Sequence, residues 1–349
     1  MKADWKSFLA EAGAEFEGEL VATYGNPVQE LNVTLTGNVF ADLSHCGLIS
    51  VHGPDAHNFL QSQLSNDLRE LGEDSSQLNS WCNAKGRMLV IFRVFMRRDS
   101  YYLRLPVEMV DEVIGRLQRY VLRQQVSVED ASNTFIGIGL CGPGAVEELR
   151  NATGAVPEDP DGVARTRDMT IIRVPGIHPR FEIYTVLDAV RHLWDMLNVR
   201  CAPVGLAAWK LLEIEAGLPT VYPATAEAFV PQMANLQLVG GVSFKKGCYP
   251  GQEVIARMQY LGKLKRRMYL GHVKTGTLPQ PGDDLYGAND AEQPVGKIVD
   301  AQPHPDGGYA ALAVIQIVSA DDGDVHLGSA DGPRFEFRDL PYAFAEPAG

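Results

Sequence analysis

Residues 245–257 read Lys245-Lys246-Gly247-Cys248-Tyr249-Pro250-Gly251-Gln252-Glu253-Val254-Ile255-Ala256-Arg257, with a thiol, a phenol, two glycines and a carboxylate packed among cations. Pro250 suits the first turn of a helix, and the residues from Gln252 onward are helix formers. Cys248 would then lie just ahead of a helix N-terminus and beside two lysines, and both neighbours favour thiolate over thiol. Gly247 and Gly251 let the backbone bend tightly or approach a ligand. Glu253 and Arg257 are four apart and can pair on one helix face. The candidate reactive set is therefore Cys248 with Lys246, Tyr249, Gln252, Glu253 and Arg257. Local chemistry leaves a plainer role open, since a lone cysteine is ordinarily a small buried hydrophobe. A second group, Asn83-Ala84-Lys85-Gly86-Arg87, sets two cations around a glycine ahead of an apolar run. It reads either as a charged hairpin turn or as the rim of a ligand pocket.

Composition bounds what these residues can serve. A chain of 349 residues can bury a large core in two or three domains. Its 45% apolar and 21% charged content is that of an ordinary globular protein. A net charge of −13 argues against general binding to a phosphate backbone, although Gly262-Lys263-Leu264-Lys265-Arg266-Arg267 is locally basic. Such a run is usually a solvated face, and otherwise a site for an anion or a nucleic-acid loop. Cys46, Cys82, Cys141, Cys201 and Cys248 are far apart, so no metal site is predicted. Their odd number, with neither a secretory leader nor an apolar run of membrane length, points to the cytoplasm and away from a membrane.

The elements that must position these residues follow from periodicity. A helix is expected over residues 3–16. Leu31-Asn32-Val33-Thr34-Leu35 alternates as a strand does. A strand at 48–52 runs into a helix beginning at Pro54, and a further strand covers Met88 to Phe95. Val107, Val110, Ile114, Leu117 and Val121 make one apolar stripe of a helix. Strands are expected at 135–140, 171–174 and 181–186, and helices at 188–197 and after Pro203. Gly139-Leu140-Cys141-Gly142-Pro143-Gly144 is not a dinucleotide fingerprint, because Pro143 interrupts the turn. Strand–helix–strand units of this size predict an α+β fold with two ferredoxin-like split α+β lobes. Beyond Arg257, short apolar stretches alternate with turn signals and predict a small β-barrel. The expected division is 1–133 and 134–257, two lobes that can interleave, followed by the barrel at 258–349.

The string Lys-Gly-Cys-Tyr-x-Gly-Gln-Glu at 246–253, closed by Ala256-Arg257, resembles the signature of the YgfZ family. The likeness extends to Ile214-Glu215-Ala216-Gly217-Leu218-Pro219, Pro231-Gln232-Met233-Ala234-Asn235-Leu236, Gly240-Gly241-Val242-Ser243-Phe244 and Cys82-Asn83-Ala84-Lys85-Gly86-Arg87, and covers most of the chain. It implies a fold like that of glycine-cleavage T-protein and a folate-binding protein supporting the maturation of iron–sulfur enzymes, tRNA-modifying ones among them. Tetrahydrofolate or a derivative is the implied cofactor, and iron–sulfur enzymes or assembly proteins are the implied partners. The resemblance places Trp209 against folate, with Lys85 and Arg87 at the pocket rim. Gln232 and Asn235 are candidate pterin partners by spacing and polarity, and Glu182 could be the acidic pterin contact. Relatives can carry a tryptophan where this chain has Cys46. The alternative is a folate-dependent aminomethyltransferase or other one-carbon transferase. Against it, Val90 and Ile91 stand where T-protein has an aspartate pair, and Glu213 where it has arginine.

Overall fold

The computed structural model describes residues 1–287 and 292–344. The fold is mixed α+β. One six-stranded sheet runs in the order Val163–Arg165, Thr170–Val174, Arg180–Thr185, Ile136–Cys141, Val39–Asp42, Ala202–Pro203. Its pairings are antiparallel except the last, where Ala202–Pro203 lies parallel to Val39–Phe40. A five-stranded sheet follows the order Ser76–Cys82, Met88–Arg97, Ser100–Pro106, Cys46–His52, Ser127–Asp130. The helices are α1 (Ala3–Glu11), α2 (Pro27–Thr34), α3 (Ala56–Gln63), α4 (Val110–Val121), α5 (Ala145–Thr153), α6 (Leu187–Leu197), α7 (Leu206–Glu215), α8 (Gln252–Tyr260) and α9 (Ile317–Asp322).

By contact density the chain divides into two compact units. The first holds residues 1–56, 71–76 and 93–212. Its main core packs Val190, Leu193, Trp194 and Leu197 of α6 and Ala145 and Leu149 of α5 with Ile138, Leu140, Ile171, Phe181 and Ile183. Alternation along Ile136–Cys141 and Arg180–Thr185 sends these apolar residues to one face. The second unit holds residues 57–70, 77–92 and 213–349. Its C-terminal sheet runs in the order Val325–Leu327, Asp284–Gly287, Gly296–Pro303, Tyr309–Gln316, Arg266–Val273, Phe335–Arg338. This sheet is a curled half-barrel, and an isolated bridge joins His326 to Arg334, the residue before its other end strand. A register shift between Ile298 and Asp300 bends one of its central strands, as bulges do. Among the described residues no helix is long and apolar enough to cross a membrane.

Several local expectations change. Residues 31–35 are not a strand. Pro27–Thr34 is helical, because Asn26 caps it by accepting from the Gln29 N–H at 3.1 Å and Pro27 sits in its first turn. Capping chemistry outweighs a short alternating pattern. The helix expected from Pro54 begins at Ala56, after a turn closed by Ala56 N–H donating to Gly53 O. The first helix ends at Glu11 instead of 16, since Glu15–Glu17 pairs with Leu20–Thr23.

Candidate functional site

All the residues expected around the thiol lie in the second unit, and the geometry gives them different tasks. Lys246 is buried, and its ammonium donates to the carbonyls of Gln61 (2.8 Å), Leu64 and Asn66 (2.8 Å). These acceptors lie in and just beyond the last turn of α3, where carbonyls lack intrahelical partners and a cation is favoured. Burial pushes the Lys246 ammonium down to about 8, while Asp67 acts in the opposite direction. Its charge is therefore directed into α3. Lys246 Nζ also lies 5.1 Å from the centre of the Tyr249 ring. Tyr249 is buried, and burial raises its phenol above the ordinary value, with Cys82 adding to the rise.

Between these two anchors Gly247 and Cys248 are exposed. Gln252 closes the segment by donating from Nε2 to Lys246 O at 3.3 Å, and its own N–H reaches Tyr249 O at 3.2 Å. The loop thus presents one thiol to solvent while both flanks are fixed. The preceding stretch is also tied down: Ser243 N–H donates to Ser65 O, Ser65 Oγ to Gly241 O at 2.8 Å, and Asn66 Nδ2 to Gly240 O at 2.6 Å.

The helix that follows starts two residues later than Pro250 suggests. Gly251 is its N-cap, in the left-handed region at φ +79°. That conformation is needed for a close approach. A Cβ on Gly251 would fall 2.5 Å from Asn83 O and 2.6 Å from the Gly86 Cα, and one on Gly86 (φ +71°) would fall 3.1 Å from Val254 Cβ. The 83–87 turn and the start of α8 are therefore pressed together, backbone to backbone. Inside the turn Asn83 Oδ1 accepts from the N–H groups of Lys85 (2.9 Å) and Arg87 (3.1 Å). Lys85 is exposed, whereas Arg87 donates to Ala228 O. Glu253 and Arg257 are both exposed, and among the described residues neither makes an ion pair.

Gln232 and Asn235 are buried beneath this assembly. Gln232 Nε2 donates to Ile255 O at 2.7 Å, and Asn235 Nδ2 to Met268 O at 2.9 Å. Their other amide atoms, Gln232 Oε1 and Asn235 Oδ1, are buried acceptors without a hydrogen-bond partner among the described residues. Native interiors rarely leave such atoms unmet, and N–H donors of a bound heterocycle would suit them.

Trp209 lies in the first unit and is fully buried. Its ring fills the space over Gly139, where a Cβ would come within 2.3 Å of it, and it packs with Val39, Ala41, Leu43 and Cys141. The Arg180 guanidinium stands 5.8 Å from the ring centre, and Trp209 Nε1–H is a buried donor without a partner. Glu182 in the same unit accepts from Tyr184 OH at 2.7 Å and pairs with Arg104 at 3.3 Å. Cys46 lines a cavity of about 210 Å³ together with Trp5, Leu43, Ser44, Phe135 and Tyr184. Sequence reasoning did not assign Trp5, Phe135 or Tyr184 to any site. Trp5 is in α1, Phe135 just precedes the strand Ile136–Cys141 and Tyr184 is in the strand Arg180–Thr185, and no local motif joins them.

Residues 19–246 match the family model described as the GCVT N-terminal domain. The chain is 28% identical over 307 residues to the tRNA-modifying protein YgfZ of Serratia proteamaculans (strain 568), covering 87% of this chain and 92% of that protein. It is 30% identical to the tRNA-modifying protein YgfZ of Sodalis glossinidius (strain morsitans), with 87% and 93% covered, and 30% identical to that of Colwellia psychrerythraea, with 82% and 86% covered. The crystal structure of glycine cleavage system aminomethyltransferase T from Bartonella henselae superposes with a TM-score of 0.73 at 20% identity, covering 97% of this chain and 96% of that one. This second likeness is one of fold. The matched residues include the anchored Cys248 loop's Lys246 and the 83–87 turn on which α8 rests, and the chain belongs to the YgfZ family, built on the GCVT N-terminal domain.

Proposed function

We propose that this chain is a folate-binding accessory protein that supports the assembly, repair or activity of iron–sulfur enzymes, including enzymes that modify tRNA. The observation that carries the reading is the exposed Cys248 held between two buried anchors, Lys246 and Tyr249. A thiol meant only for packing would be inside. Membership in a family whose named relatives are tRNA-modifying proteins supplies the tRNA link. The resemblance of the Lys-Gly-Cys-Tyr-x-Gly-Gln-Glu string supplies the folate and iron–sulfur links. The same reading treats the two α+β sheets as ferredoxin-like lobes and places the protein in the cytoplasm.

Tetrahydrofolate would bring a one-carbon carrier to the protein. The chain's own residues would hold it: Gln232 Oε1 and Asn235 Oδ1 are unmet acceptors suited to the N–H groups of a pterin edge. Lys85 is free of ion pairs among the described residues and is suited to a glutamate carboxylate of the tail. The resemblance also assigns Trp209 to folate. Cys248 would bind iron transiently as thiolate, exchange with a disulfide of a client and release one of its thiols, or attack an activated one-carbon unit and break its bond to the folate nitrogen, which leaves with the proton. One sulfur cannot hold a cluster alone, so further ligands would come from a client.

Two measurements test this. In a strain lacking the protein, Cys248→Ala should fail to restore iron–sulfur enzyme activity while still folding by circular dichroism. Full restoration would remove Cys248 from the mechanism. Calorimetric titration with tetrahydrofolate should show binding to wild type, weakened about tenfold by Gln232→Met and by Trp209→Phe. No heat of binding to wild type would end the folate reading. The second reading is aminomethyl transfer, favoured by the T-protein-like fold. Turnover of glycine-derived aminomethyl groups on a lipoyl carrier would decide for it. Against it, Val90 and Ile91 are buried and apolar where that chemistry calls for carboxylates.

A further inference from the structure

Helix α8 buries Ile255 and turns the opposite stripe to solvent. Arg257 and Tyr260 lie along that stripe and Leu261 follows as the helix C-cap, while Val254 packs beside Gly86 of the 83–87 turn. Tyr260 is 68% and Leu261 85% exposed. Two large apolar side chains exposed next to one another among cations are unlike apolar residues scattered singly over a surface. Phe244 and Tyr260 meet edge to face at a centroid distance of 6.1 Å, and Lys245 is the next residue after Phe244. Lys263 and Lys265 follow directly in sequence. Lys245, Arg257, Lys263 and Lys265 are all exposed, and among the described residues none makes an ion pair. Residues 245–267 carry seven lysines and arginines against one glutamate, in a chain whose net charge is −13.

We propose that this face of α8, with Lys245, Lys263 and Lys265, docks a protein segment that carries apolar side chains between carboxylates. The cations would steer and orient such a segment, and Tyr260 and Leu261 would bury its apolar residues. A single-stranded nucleic acid suits the face less well. It would use the cations and the Tyr260 ring, but Leu261 offers no flat surface for bases to stack on. The inference needs neither folate nor the thiol of Cys248.

The full-length protein is titrated by fluorescence anisotropy with four labelled probes. They are a synthetic helical peptide of glutamates with leucines at every third or fourth position, the same composition with its leucines clustered, polyglutamate of equal charge, and oligouridylate. The patterned peptide should bind about tenfold more tightly than polyglutamate, and more weakly as salt rises. The Tyr260→Ser/Leu261→Ser variant should lose that margin. The Lys263→Glu/Lys265→Glu variant should lose the salt dependence and most of the binding. Cys248→Ser should bind the peptide as wild type does, which separates this face from the thiol. Photocrosslinking in cells from benzoylphenylalanine at position 261 should label an acidic, leucine-bearing segment of another protein. Equal binding of polyglutamate, tighter binding of oligouridylate, an RNA adduct in the cell, or absence of peptide binding would each overturn the proposal. The substituted side chains are on the surface, so circular dichroism of every variant should match wild type.

Discussion

Cys248 differs from the other cysteines chiefly in access. Cys82, Cys141 and Cys201 are buried, and burial pushes their thiols up to about 12, 11 and 12. Thiolate is the reactive form, so iodoacetamide at neutral pH should modify Cys248 well before those three. Peptide mapping checks the order, and Cys248→Ser should remove the fastest label. Lys246, the lysine two residues before that sulfur, donates to backbone carbonyls. Replacing it by Met would leave the carbonyls of Gln61, Leu64 and Asn66 without their donor. A cost of at least about 2 kcal/mol is expected from urea unfolding. Asp67 beside it gives a pH signature. Hydrogen bonds from Arg69 hold its carboxyl well below the usual range. The unfolded aspartate takes up its proton near pH 4 and the folded one only in stronger acid. The unfolded state thus binds more protons in between, and this contribution is complete above about pH 4 and is lost as pH falls through the folded value. The stability gap between wild type and Asp67→Asn should narrow on acidification below about pH 4.

At the scale of elements, α8 and the 83–87 turn form the frame of the site, and two glycines decide their fit. Gly251→Ala would force a side chain into a left-handed conformation and against Asn83 O. It should destabilise by about 2 kcal/mol or more and slow the alkylation of Cys248 or make it nonuniform. Gly247 has open space around it and no left-handed requirement, so Gly247→Ala should leave the unfolding midpoint nearly unchanged. Strong local signals were legible here. Gln252–Tyr260 is helical as its composition indicates, and the apolar stripe from Val110 to Val121 is α4. Residues 31–35 misled because five alternating residues cannot outvote an Asn-Pro cap seated just upstream.

Across the whole molecule, the second unit is assembled from three separate stretches of chain. The C-terminal fragment 213–349 keeps the Cys248 motif and the half-barrel but lacks α3 and the 83–87 turn. Lys246 would lose its acceptors and α8 its support. This fragment should therefore show no cooperative unfolding of the motif region by hydrogen exchange, with the Cys248 loop exchanging freely. Protection equal to that in the intact chain would contradict the discontinuous assembly.

The residues themselves determined the Cys248 motif as a string, the family, the amphipathic helices and the β-rich C-terminal part. All of these depend on neighbours within a few positions or on a long exact string. Only tertiary structure decided what each motif residue does. Lys246 is drawn to carbonyls some 180 positions earlier in the chain, the separations being 185, 182 and 180. Gly251 meets Gly86, and Trp209 settles over Gly139. Such pairings are set by packing between remote segments, where burial and unmet hydrogen bonds choose the partner, and no local spacing encodes them.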